Sequence, residues 1–275
     1  MFKKLNYYVA LGYVDWFHLR IKRYIGHRQK RLDFIGIGVA KAGTTALHDY
    51  LSQHPEIGLG DEKEIHFFDR FQHYLMPNWF YFRYHKHFNF KSGKKIYGEI
   101  TPAYFYWHNV ATRIWEYNPK IKLIAILRNP VERAYSHWNM ATNLGGDTKR
   151  FEDTINSERE RSRRALPYQH RYYSVIDRGF YSTQIREYRR CFPENQLLFI
   201  QYDAFKQKPK ETLETVFKFL DVDPSRFDFT PLVSNVFEYK DKMNPDTKKQ
   251  LIDIYRNDIH EVERLLGWDC SEWLK

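Results

Sequence analysis

Two short, almost wholly apolar runs punctuate an otherwise polar chain. Residues 34–38 and 121–127 are bounded by charged or turn-forming residues and suit strands covered on both faces, as in a parallel sheet. The pattern from residue 33 predicts a strand, a helix over 44–53, a strand near 96–99, a further helix, the strand 121–127 and a helix over 130–143. Arg-rich and Glu-rich helices follow, then a strand over 197–201 and helices over 210–220 and 246–266. Alternation of this kind gives an α/β fold, a parallel sheet with helices on both faces.

At 275 residues the chain can bury one large core, and no Pro/Gly/Ser-rich linker divides it. Residues 32–275 are therefore expected to form a single domain. Residues 1–31 read differently, as a basic amphipathic segment with Lys3, Lys4, Arg20, Lys22, Arg23, Arg28, Lys30 and Arg31 around Val9, Val14, Trp16, Phe17 and Ile21.

Candidate chemistry begins where the first apolar run ends. Residues 33–47 read as a strand, a glycine turn and a helix start. Gly38-x4-Gly43-Thr44-Thr45 keeps the Walker spacing, but Thr44 stands where a nucleotidase needs lysine and the lysine sits earlier, at Lys41. A helix opening at Gly43 presents unpaired backbone N–H groups and the positive end of its dipole to an anion. Thr44 and Thr45 add hydroxyl donors. An ordinary strand-turn-helix junction would also use the glycines; Lys41 inside so tight a turn points to an anion or to solvent.

The second run, residues 121–127, leads directly into Arg128. Asn129 suits the cap and Pro130 the first turn of the next helix, which puts Arg128 at the carboxyl edge of the sheet, where open α/β folds bind ligands. A metal-binding aspartate would be usual near this point in a nucleotidase. Arg128 suggests a second anion instead, with Ser136, two turns into the helix, able to face it.

Two anion sites without an evident metal aspartate describe a nucleotide phosphorylated at both ends. The residues resemble the sulfotransferases that use 3'-phosphoadenosine 5'-phosphosulfate (PAPS). That resemblance implies a P-loop-like PAPS sulfotransferase fold. It also implies that Lys41, Ala42, Gly43, Thr44 and Thr45 hold the 5' end of the donor and Arg128 and Ser136 its 3'-phosphate, with no metal expected. Asp61 to Asp69 and Tyr97 to Phe105 are similar to the branch that sulfates heparan sulfate and related glycans. By that similarity Glu64 is the catalytic base and His66 its neighbour. Phe67 and Phe68 are expected to desolvate the carboxyl and raise its pKa. On spacing alone, Asp61, Glu62 and Glu64 would read as a solvated acidic run.

One position departs from the branch: Ile100 stands where several members carry lysine, so a second cation near the transferred group is missing or comes from elsewhere. The region 234–245 is shortened and lacks the cysteine of a disulfide-closed loop seen in heparan-type members; Lys240 or Lys242 is its candidate basic element.

The formal charge of +10 calls for an anionic partner. No nucleic-acid motif accompanies it, and a doubly phosphorylated nucleotide with an acidic glycan explains it equally well. The run 158–164 reads as a solvated helix face, with Arg159, Arg161, Arg163 and Arg164 as an alternative contact for an acidic polymer. For residues 1–31 the readings are packing against the domain or a partner, or peripheral contact with an anionic membrane, since no apolar stretch there is long enough to span one. The two cysteines, Cys191 and Cys270, show no metal-ligand spacing. With no Asn-x-Ser/Thr acceptor in the chain, a reduced, cytoplasmic setting is expected, possible membrane-surface contact included.

Three functions remain open at this point. One is sulfuryl transfer from PAPS to a hydroxyl or amine of a carbohydrate. The others are a P-loop kinase, which Thr44 and Arg128 disfavour, and a non-catalytic nucleotide- or glycan-binding protein, for which Ile100 leaves room.

Overall fold

The structure is a computed structural model that describes residues 30–70, 81–164, 172–232 and 242–275. Most of residues 1–31, and Lys240, lie outside the described residues. Five strands, β1 (Phe34–Gly38), β2 (Ile57–Leu59), β3 (Ile96–Ile100), β4 (Lys122–Leu127) and β5 (Leu197–Gln201), form one parallel sheet in the order β2-β3-β1-β4-β5. The helices are α1 (Thr44–Gln53), α2 (Tyr81–His85), α3 (Val110–Tyr117), α4 (Pro130–Asn143), α5 (Phe151–Arg164), α6 (Tyr181–Cys191), α7 (Tyr202–Gln207), α8 (Pro209–Phe219) and α9 (Pro245–Leu266). The α/β architecture is the one expected. β2 went unread in the sequence because three residues are too few to show a period.

β1 lies at the centre and is buried along its whole length. Both neighbours run parallel to it, Gly36 pairing with Ile100 of β3 and with Ile124 of β4. Parallel pairing brings the loops that leave β1, β3 and β4 to one edge of the sheet. The ladder runs on beyond the strands there, with the Val39 N–H donating to the Ile126 oxygen at 2.9 Å and the Phe105 N–H to the Ile37 oxygen at 2.8 Å.

Local chemistry sets where the helices begin. Asn129 Oδ1 accepts the Val131 N–H at 2.9 Å with Pro130 in the first turn, so α4 starts immediately after Arg128. No side chain caps α1; Gly43, at φ 77°, turns the chain into it and leaves the first amides without a side-chain partner at the cap. Among the described residues no helix is long and apolar enough to cross a membrane.

Candidate functional site

The loop after β1 carries Lys41 in the left-handed region, at φ 76°. Ala42 is buried beneath it; of the two threonines that open α1, Thr44 is buried and Thr45 exposed. The Arg128 guanidinium crosses from the end of β4 and donates to the Lys41 carbonyl oxygen at 3.1 Å. Its other neighbours are the Tyr202 ring, 5.0 Å from the guanidinium carbon, and Glu132 at 3.7 Å, while the Tyr181 hydroxyl donates to the Arg128 carbonyl at 2.8 Å. Burial lowers the Lys41 pKa; the positive charges of Arg128 and Lys63 lower it further, and Glu64 works in the opposite direction. Like charges gathered this closely favour an anion between them.

Ser136 lies buried two turns into α4, as expected. Among the described residues no hydrogen bond joins it to Arg128, so the pair shares an element junction rather than a direct contact.

The segment between β2 and α2 brings Glu64 to the same edge. Its N–H donates to the Ile100 oxygen at 3.1 Å, which hangs it on the end of β3. Lys63 Nζ lies 2.7 Å from Glu64 Oε1, and His66 Nε2 lies 3.6 Å from Oε2. The other ring nitrogen, His66 Nδ1, is 2.6 Å from Asp69 Oδ2, so the imidazole lies between two carboxylates, hydrogen-bonded to Asp69 and within ion-pair distance of Glu64. Glu64 and His66 have φ of 63° and 54°. Three of the five non-glycine residues at positive φ among those described are therefore Lys41, Glu64 and His66, the concentration of backbone strain that functional sites show.

The expected rise in the Glu64 pKa is corrected here. Its carboxyl is lowered to about 2, chiefly by His66, with burial opposing and Lys63 assisting. Phe67 and Phe68 are buried, but their rings point away into an aromatic cluster. Phe67 stacks on Tyr84 at 4.5 Å and Phe68 meets the edge of Tyr104 at 5.6 Å. They anchor the segment and leave the carboxyl to its ionic partners.

Behind the segment sits a buried polar knot that the sequence did not reveal. The Tyr104 hydroxyl accepts the Phe67 and Phe68 N–H groups, at 2.8 and 3.3 Å, and donates to Glu99 Oε1 at 3.1 Å. Tyr84 donates to the same oxygen and Thr101 to Oε2 at 2.7 Å. Burial raises the Glu99 pKa against the lowering effect of these hydroxyls. Ile100, next to it, is buried, and its Cγ1 lies where a Cβ on Gly36 would approach to 2.8 Å. Its side chain fills the face of β1 and brings no charge.

Sequence reasoning named Glu64 and His66 but missed Lys63 and Asp69 as their partners. Asp69 stands three residues after His66 within the segment Asp61 to Asp69, a readable signal.

Elsewhere, the run 158–164 is only partly a solvated face. Glu158 is buried and accepts the Ile176 and Asp177 N–H groups at 2.7 and 2.8 Å, and Arg161 pairs with buried Asp147 at 2.9 Å. Arg159, Arg163 and Arg164 remain exposed, as does Lys242. Cys191 and Cys270 are both free thiols; Cys270 is buried and Cys191 half-buried.

A family model described as a sulfotransferase domain matches residues 31–265. Over 189 residues the chain is 30% identical to heparan sulfate glucosamine 3-O-sulfotransferase 5 of Mus musculus, covering 68% of this chain and 53% of that protein. It is 29% identical over 273 residues to bifunctional heparan sulfate N-deacetylase/N-sulfotransferase 1 of Xenopus tropicalis, covering 87% of this chain and 30% of that one. The chain thus spans about half the length of the first relative and under a third of the second. Among solved structures, a sulfotransferase from Alicyclobacillus acidocaldarius superimposes with a TM-score of 0.77 at 28% identity, over 90% of this chain and 100% of that one.

Proposed function

Since the chain belongs to the sulfotransferase domain family, we propose that it transfers a sulfuryl group from PAPS to a hydroxyl or amine of a carbohydrate, releasing adenosine 3',5'-bisphosphate. The observation that carries this is the convergence of the Lys41 loop, Arg128 and the Glu64-His66-Asp69 relay on one edge of the sheet. The heparan sulfate enzymes among its relatives support a glycan acceptor.

The residues fit such a donor. At Gly43 an added Cβ would stand 3.2 Å from the Tyr202 ring on a backbone at φ 77°, so glycine alone keeps the amide edge of α1 open. Lys41 and the amides of residues 43–45 can hold the 5' end. Arg128 and Ser136, at the β4–α4 junction, can hold the 3'-phosphate.

Sulfuryl transfer moves a group of single negative charge from a phosphate leaving group to the acceptor, so the protein must stabilise charge growing on the leaving oxygens. Lys41 and the α1 amides are placed to do so; removing one preorganised donor of this kind costs roughly 10² to 10³ in rate. Glu64 accepts the acceptor's proton, a role worth about 10² to 10⁴ for a base poised near the working pH, toward which the anionic sulfuryl group beside it raises the carboxyl pKa. His66, backed by Asp69, orients that carboxylate and keeps it ionised.

A kinase reading lacks support in the residues: Thr44 stands at the Walker lysine position and Arg128 at the end of β4. The test is incubation with PAPS labelled in its sulfuryl group and a desulfated heparan acceptor. Wild type is expected to move label to the glycan, and K41A and E64Q to lose nearly all transfer. Full transfer by E64Q would remove Glu64 from the role of base.

A further inference from the structure

We infer that the Lys63 ammonium is the second cation of the transfer site, held on Glu64 before the donor arrives and shared with the sulfuryl group once it is bound. The inference rests on the sulfotransferase reading above.

Ile100 packs against β1 without charge, and β3 brings no cation to this edge. The nearest ammonium to the base comes instead from the residue before it. Lys63 Nζ sits 2.7 Å from Glu64 Oε1, and the lysine side chain, at 22% exposure, is more covered than the 36% exposed carboxylate it pairs with. A lysine free to extend into water gains little from such a pair. This one is folded back over the site.

The backbone places the two side chains together. Glu64 is at φ 63° and its N–H is fixed to the Ile100 oxygen, so Lys63 and Glu64 leave the same turn toward the sheet edge. The field of Lys63 reaches Lys41, as does that of Glu64, so the three side chains share one electrostatic neighbourhood with Arg128 beyond.

Charge balance then assigns the role. Without Lys63, the Glu64 carboxylate would face the anionic sulfuryl group with only Lys41 and, beyond it, Arg128 to offset the repulsion. With it, the site offers Lys41, Lys63 and Arg128 against one carboxylate. In the transfer step the acceptor O–H or N–H bond breaks, its proton going to Glu64. The acceptor atom bonds to sulfur as the bond from sulfur to the 5'-phosphate oxygen breaks, and that oxygen keeps the electron pair. An ammonium moving from Glu64 Oε1 toward the sulfuryl oxygens both neutralises the group in flight and frees the carboxylate to take the proton.

The test needs no acceptor. Affinities for PAPS and for adenosine 3',5'-bisphosphate are measured by calorimetry on wild type, K63M, K63R and E64Q. K63M is expected to lose about tenfold in PAPS affinity, the low end of what a hydrogen bond to a charged group supplies, while its bisphosphate affinity stays within twofold. K63R should recover most of the loss, and E64Q, which releases the lysine, should bind PAPS more tightly than wild type. Equal losses on both nucleotides in K63M, or no loss on either, would overturn the role of Lys63 alone. A wild type that binds neither nucleotide would overturn the sulfotransferase reading and this inference with it.

Discussion

The Arg128 guanidinium donates to the Lys41 carbonyl oxygen at 3.1 Å, tying the loop after β1 to the loop after β4. One side chain thus joins the two ends of the candidate donor site, and in the proposed reading it also offers positive charge to a 3'-phosphate.

Arg128→Ala is therefore expected to weaken adenosine 3',5'-bisphosphate binding by about a hundredfold, as the loss of a half-buried charged hydrogen-bonding group does. Lys41→Ala should reduce turnover far more than bisphosphate affinity. Calorimetry on both variants beside turnover separates the two; equal affinity loss in each would mean that Arg128 is only one cation among several.

The pH dependence follows from His66. With the Glu64 carboxyl held at about 2, chiefly by His66, the base stays ionised through the working range, and turnover should show no acid limb between pH 5 and the onset of acid unfolding. Replacing His66 by Ala removes the group that holds the pKa down, so it rises toward the ordinary glutamate range of about 4.3. Activity that needs the ionised form is then lost at higher pH than in wild type. A pH profile of kcat for the two proteins checks the sign, and a limb moving to lower pH would refute it.

Tyr104→Phe deletes the hydroxyl that accepts two N–H groups from the Glu64 segment and donates to Glu99. Buried donors left unsatisfied cost about 1 to 3 kcal/mol, so urea unfolding should show a loss of this size. Turnover should fall further than bisphosphate affinity, because Phe67 and Phe68 lie between His66 and Asp69 and the donor loop is untouched.

Metal removal should change nothing. In the proposed reading Lys41, Arg128 and the α1 amides take the place of the positive charge that magnesium supplies to kinases. Bisphosphate binding and label transfer in excess EDTA are expected to match those in magnesium; loss of either would revive the kinase alternative.

Much of this was legible in the chain because local chemistry fixed it. Continuous apolar runs announced β1 and β4, Asn129-Pro130 announced the start of α4, and Gly43 the turn into α1. Glu64 was found by resemblance, yet its environment was misread: adjacency to Phe67 and Phe68 suggested an apolar pocket. Positive φ at Glu64 and His66 instead turns the carboxylate toward Lys63 and His66 and lets the rings pack behind. No hydrophobic pattern encodes such a turn. Glu158 shows the same limit. Its charge suggested a solvated face, although it shares the buried face of α5 with Phe151, Thr154 and Ile155, where backbone N–H groups receive it.

In the proposed reading the sheet edge is a metal-independent site for a nucleotide phosphorylated at both ends. Calorimetric titration of the wild type with adenosine 3',5'-bisphosphate and with ATP, each with and without magnesium, tests it most directly. Tight bisphosphate binding that ignores magnesium, with ATP binding weakly, is the expected result. Preference for magnesium-ATP would contradict it.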